Sequence, residues 1–177
     1  TQQVILKVDD HASLEWLPQE TIMYQGTQVK SALRLEIAKT ARFIAWEVVA
    51  LGRPAANEYF EQGVVETDWQ ILLDDELRYR ERLQIDAEAF KACWGLQGHS
   101  AYGSLFAYPC SNAHLEAIQQ LIDEQPNRAV TRIDELLICR ALDARADVLR
   151  DFFQQVWQIL RSDMMQQTAC APRIWAT

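Results

Sequence analysis

Phe43-Ile44-Ala45-Trp46-Glu47-Val48-Val49-Ala50-Leu51 is apolar on both parities apart from Glu47. A half-buried strand alternates apolar and polar residues with period two, so a run without alternation reads as a strand covered on both faces. Gly52-Arg53-Pro54 ends it sharply, because proline offers no N–H to a continuing ladder. Upstream of it lie half-buried strands. Val4, Leu6 and Val8 share one parity, and Val29, Leu33, Leu35 and Ile37 share another, with Lys30, Arg34 and Glu36 opposite.

Between them, Leu14-Glu15-Trp16-Leu17-Pro18-Gln19-Glu20-Thr21-Ile22 sets two acids and an amide among Leu, Trp and Ile. Leu14 to Leu17 and Thr21 to Tyr24 read as strands interrupted at Pro18, where the chain must bulge, turn or lie at an edge. A carboxylate beside that break is either a turn cap or a site residue.

Downstream, Val65, Thr67, Trp69, Ile71 and Leu73 alternate, then Leu77, Tyr79, Leu83 and Ile85 resume after Asp74-Asp75-Glu76. This predicts a hairpin over 64–85 with a short acidic turn. Arg78, Arg80 and Arg82 share its other face, which is either solvated or turned to a partner. Asp86 to Trp94 reads as a short helix, followed by a glycine-bearing loop (Gly95, Gly98, Gly103) and a strand over Ser104–Tyr108. Ser111 is placed to cap a helix over 112–124, with Leu115, Ile118, Leu121 and Ile122 on one face. Strands follow at Val130–Ile133 and Leu136–Leu142. A last helix spans Ala146 to Arg161, with a broad apolar stripe that includes Phe153 and Trp157; either core packing alone accounts for the stripe, or one face packs on the sheet and the remaining aromatic edge meets a partner. Trp175 near the C-terminal end is expected to dock.

With 177 residues, 49% hydrophobic and 24% charged, the chain is long enough for one sizeable core and does not have the composition of a disordered segment. Its net charge of −8 argues against a non-specific nucleic-acid binder. No segment approaches the roughly 20 apolar residues of a membrane span, and no secretory signal pattern opens the chain. The start at Thr1-Gln2-Gln3, in mid-pattern and without Met, suggests that residues precede it. Cys93, Cys110, Cys139 and Cys170 are widely spaced with no C-x-x-C pair, which favours reduced thiols and a cytoplasmic location.

No G-x-S-x-G, P-loop, H-E-x-x-H or G-x-G-x-x-G motif is present. A hydrolase built on a Cys–His pair would need Cys93 or Cys110 to meet His99 in space. His114 falls on the polar face of its helix and reads as a surface residue. The remaining chemistry is Glu20 and Glu47, carboxylates in apolar settings where an ionised group is costly unless paired or hydrated. Arg53 and Arg82 are the candidate counter-charges. The pair is either structural, fixing register, or lines a polar, hydrated passage able to hold a divalent ion weakly.

At this point the blocks resemble the urease accessory proteins of the UreD type, also called UreH. The resemblance is carried by Leu14-Glu15-Trp16-Leu17-Pro18-Gln19-Glu20-Thr21-Ile22 and by Ala41-Arg42-Phe43-Ile44-Ala45-Trp46-Glu47 through Gly52-Arg53-Pro54-Ala55. Further matches are Gly95-Leu96 with Gly98, Gly103-Ser104-Leu105, and Pro172-Arg173-Ile174-Trp175-Ala176-Thr177. His11 and Ala45 depart from it, standing where glycine is usual, and both are tolerable if φ is negative. It implies one UreD-type domain over 1–177, the C-terminal two-thirds of a family member, and an absent N-terminal portion. It also implies a mainly β fold of stacked sheets with β-helical character, plus two amphipathic helices in the C-terminal half. The implied function is non-catalytic: help in delivering nickel to apo-urease, with a helical partner (UreF), a GTPase recruited through it (UreG), and urease itself. No nucleic acid, membrane or tightly bound cofactor is implied, only nickel in transit. On that reading Glu20 and Glu47 line the nickel passage, with Arg53, Gln19 and Arg82 in support. Phe153, Trp157 and Trp175 contribute to the partner surface. A purely structural interaction module without metal passage is the alternative.

Overall fold

In the computed structural model, which describes residues 1–176 (the side chains of Ala55 and Ala176 excepted), the chain climbs by coiling between two stacked sheets. Strand β1 (Gln2–Val8) lies in the first sheet, and β2 (Ser13–Trp16) and β3 (Thr21–Met23) lie in the second. Strand β4 (Gln28–Ile37) returns to the first sheet, β5 (Arg42–Leu51) to the second and β6 (Val64–Leu73) to the first. Each turn of the coil stacks parallel on the one before: β1 on β4, β4 on β6, and β2 and β3 on β5. This is the expected β-helical character.

The coil then closes with antiparallel pairing. Strand β7 (Glu76–Ile85) folds back on β6 through Asp74 and Asp75, both at positive φ (48° and 63°), as a tight two-residue hairpin turn requires. A five-residue helix, α1 (Ala87–Lys91), is capped by the Asp86 carboxylate. Strands β8 (Ala101–Tyr108), β9 (Arg128–Ile133) and β10 (Leu136–Asp143) complete the second sheet in the order β2–β5–β8–β10–β9. Helices α2 (Asn112–Ile122) and α3 (Ala146–Met164) cover its outer face.

Strand β5 is therefore buried on both faces. Ile44, Trp46 and Val48 pack beneath the helices, while Phe43, Ala45 and Val49 face the first sheet. Pro18 marks the break between β2 and β3, and the backbone there is held by the second layer: Trp46 Nε1–H donates to the Pro18 carbonyl at 2.8 Å.

Several expectations change. Gly103 lies inside β8 and not in the preceding loop, because the strand begins at Ala101. Its missing Cβ matters: one built there would stand 2.6 Å from Phe153 Cε2. His114 is 8% exposed, not a surface residue. It closes the α2 capping box, its Nδ1 accepting from the Ser111 N–H, and its Nε2 meets Asp163 at the end of α3 at 2.8 Å. His11 adopts φ +60°, so it tolerates the left-handed region where glycine is at home. Ala45 sits within β5, fully buried. Thr177 of the terminal block lies outside the described residues.

Candidate functional site

Facing residues of the two sheets form two apolar clusters with a polar seam between them. One cluster holds Phe43, Ala45, Trp69, Phe106 and Ile138; the other holds Met23, Val49, Leu51, Val65, Ile85 and Tyr102. Glu47 lies on β5 between Ala45 of the first and Val49 of the second. Directly opposite Glu47 on β8 is Ser104, and opposite Ser104 on β10 is Arg140. Residues paired across a ladder share a face, so these three project together toward the first sheet. That sheet answers with Tyr79 and Glu81 on β7 and Thr67 on β6.

The seam is tied by hydrogen bonds. Trp69 Nε1–H donates to Glu47 Oε2 at 2.8 Å. Ser104 donates its hydroxyl to Glu81 Oε1 at 2.9 Å, and the Tyr79 hydroxyl donates to Glu81 Oε2 at 3.0 Å. Arg140 Nε donates to the same Oε2 at 2.5 Å, and its Nη2 reaches both Glu81 and the Tyr79 hydroxyl. Burial pushes the Glu47 carboxyl above the usual carboxylate range, partly offset by the Trp69 bond, with the Glu81 charge adding to the rise. Burial and Glu81 likewise raise the Tyr79 phenol to about 12. A cavity of about 450 Å³ opens beside the seam, lined among others by Glu81, Arg82, Tyr102, Ser104 and Arg140.

The site residues expected from sequence divide. Glu47 is in the seam, and Arg82 lies on the wall of the cavity beside it. Glu20 is on the other face of the second sheet, where Arg150 of α3 donates to it at 3.1 Å. The sheet thus separates Glu20 from Glu47, and one passage does not run past both. Arg53 serves neither; it pairs with Glu58 through Nε at 2.9 Å and Nη2 at 2.6 Å, and stacks on Tyr24. Gln19 Nε2–H donates to the Ile174 carbonyl at 3.1 Å, holding the tail.

Phe153, Trp157 and Trp175 are turned inward, 0%, 2% and 8% exposed, and offer no partner surface. Trp175 lies 5.2 Å, ring centre to ring centre, from both Trp46 and Trp157. The stretch over 14–22 therefore clasps α3 and the tail: Glu15 accepts from Trp157 Nε1 at 2.6 Å and from Arg161 at 3.0 Å, alongside the Glu20 and Gln19 bonds.

Cys110 and His99 keep other partners, and Cys93 is exposed. Cys110 packs its sulfur 3.6 Å from Met164 Sδ, burial raises its thiol to about 12, and His99 contacts Asn127. Among the described residues no group of three or more His, Cys, Asp or Glu is arranged to hold a metal ion.

Glu81, Ser104 and Arg140 complete the seam but were not singled out from sequence. Their signal is the one that marks Glu47: each interrupts an apolar parity, Glu81 between Tyr79 and Leu83, Ser104 between Tyr102 and Phe106, and Arg140 between Ile138 and Leu142.

The sequence compares closely with known proteins. The family model described as UreD urease accessory protein matches residues 1–176. A urease accessory protein UreD of Hahella chejuensis is 38% identical over 99% of this chain and 62% of its own length. Those of Pseudomonas putida (strain KT2440) and Aliivibrio fischeri (strain MJ11) are 36% and 35% identical, over 94% and 97% of this chain and 59% and 64% of their own lengths. The chain spans about three-fifths of the length of these relatives. No helix among the described residues is long and apolar enough to cross a membrane. Matched over nearly its whole length, the chain belongs to the UreD urease accessory protein family.

Proposed function

We propose that this chain is a non-catalytic scaffold in urease maturation, and that nickel ions pass through it along the seam between its two sheets. It works in the cytoplasm within an assembly containing a UreF-type helical protein, a UreG-type GTPase and the urease apoprotein. GTP hydrolysis belongs to the GTPase partner. The observation that carries the passage is a line of oxygen-bearing side chains (Glu47, Ser104, Glu81) dividing an otherwise apolar inter-sheet core beside an open cavity. A buried polar layer costs stability unless every group is satisfied, and carboxylate and hydroxyl oxygens are suited to passing a divalent ion without trapping it.

A purely structural reading draws on the ion pair that neutralises Glu81 with Arg140. Activation assays separate the two. Glu47→Gln and Glu81→Gln are expected to lower nickel-dependent urease activation at least about tenfold while complexes still assemble in pull-downs, since even changing a group that only supports a metal's ligands costs about that much. Glu20→Gln, on the opposite face, is expected to activate normally. Full activation by both seam variants would leave the structural reading.

A further inference from the structure

Three features of the seam converge on Arg140. It stands on the inter-sheet parity of β10, yet its side chain is 47% exposed and lines the cavity beside the seam. Its guanidinium holds Glu81 Oε2 through Nε at 2.5 Å, contacts the Tyr79 hydroxyl and lies 5.9 Å from the centre of that ring. Deeper in lies Tyr102, 8% exposed, whose hydroxyl has no hydrogen-bond partner. Thr67 is the polar side chain that acts on that hydroxyl as a hydrogen-bonding neighbour, though outside good bonding geometry, and the charges of Glu47 and Glu81 are both felt there. A buried phenol with Thr67 as a weak hydrogen-bonding neighbour, beside two carboxylates, leaves oxygen lone pairs available to a cation.

We infer that Arg140 gates the seam: its guanidinium sits on Glu81 as a resident cation, and a divalent ion reaches the oxygens of Glu47, Glu81 and Tyr102 by displacing it. This rests on the seam being the passage proposed above. The charge count favours the exchange, since one guanidinium neutralises one of the two carboxylates and a divalent ion neutralises both. An ion pair exposed to this degree is weak enough to exchange, and the guanidinium has open solvent to swing into. Arginine suits the closed state because it reaches Glu81 and Tyr79 together, which an ammonium does less well.

The test is nickel chloride titrated into the whole chain by equilibrium dialysis. Arg140→Met, which keeps an apolar stem without charge, is expected to bind one nickel ion about tenfold tighter or more than the unchanged protein, and Arg140→Lys to fall between. Adding Glu81→Gln to Arg140→Met should abolish the gain. Should Arg140→Met fail to fold, Arg140→Lys carries the comparison, with a several-fold gain expected. Affinity unchanged in both Arg140 variants, while Glu47→Gln and Glu81→Gln weaken binding, would overturn the gate and leave the passage standing. A gain that survives Glu81→Gln would also overturn it, placing the ion elsewhere. Nickel binding indifferent to both Glu47→Gln and Glu81→Gln would remove passage and gate together.

Discussion

Glu47 and Glu15 show how similar residues in one sheet come to opposite ends. Glu47 is buried with a single N–H donor and a second carboxylate nearby, so its carboxyl is held above the usual range. The folded state then holds its proton to higher pH than the unfolded state does. Stability is lost as pH rises from the unfolded carboxylate range through the folded value. Glu47→Gln keeps an acceptor for Trp69 and removes the charge, so it should be more stable than the unchanged protein at pH 7 and nearly equal at pH 4. Thermal melts at the two pH values check this. Glu15 is satisfied by Arg161 and the Trp157 indole, and Glu15→Ala leaves the indole without its acceptor and Arg161, 14% exposed, without its counter-charge, holding only the Thr168 carbonyl and Gln167. A loss of about 2–3 kcal/mol in urea unfolding is expected. Both acids were legible as carboxylates in apolar runs. Their partners were not, because Arg161 lies 146 positions from Glu15 and Trp69 lies 22 from Glu47 on a different sheet.

At the scale of elements, the decisive contact is α3 against the second sheet. Phe153 sits over Gly103, where a Cβ would stand 2.6 Å from the ring and 2.9 Å from the Glu47 carbonyl oxygen. The ring can shift, but the strand backbone cannot, so Gly103→Ala should cost about 2 kcal/mol by denaturant unfolding. The tail is a second lock. Trp175→Ala removes a ring wedged between Trp46 and Trp157 and should cost about 3 kcal/mol, with a change in tryptophan emission. Strand and helix positions were readable because hydrophobic period is a local property: the doubly apolar run over 43–51, the hairpin over 64–85 and the Ser111 cap all formed as read. The broad stripe of α3 was legible as apolar, but its pattern left open whether core packing alone or a partner covers the aromatic edge, and the structure buries it in the core. The tail fills that edge, and a pattern within one helix says nothing about Trp175, which lies beyond the helix end at Met164.

For the whole molecule, the β-helical coil follows from long-range parallel pairing that periodicity does not encode. Nothing within β1 indicates that Val4 will pair with Leu33, or that Leu33 will in turn pair with Trp69. Family resemblance supplied that architecture, and the seam emerged only when strands far apart in sequence brought Glu47, Ser104, Arg140 and Glu81 into one layer. For the same reason a single passage past Glu20 and Glu47 was a natural reading of the sequence and is not what the fold builds: the second sheet lies between them. The passage through the seam is tested most directly by anomalous diffraction at the nickel edge from crystals soaked in saturating nickel. The predicted result is an anomalous peak between the two sheets within coordinating distance of Glu47 or Glu81, lost in the Glu47→Gln/Glu81→Gln double variant. Peaks confined to surface side chains, with the seam empty at full nickel saturation, would contradict it.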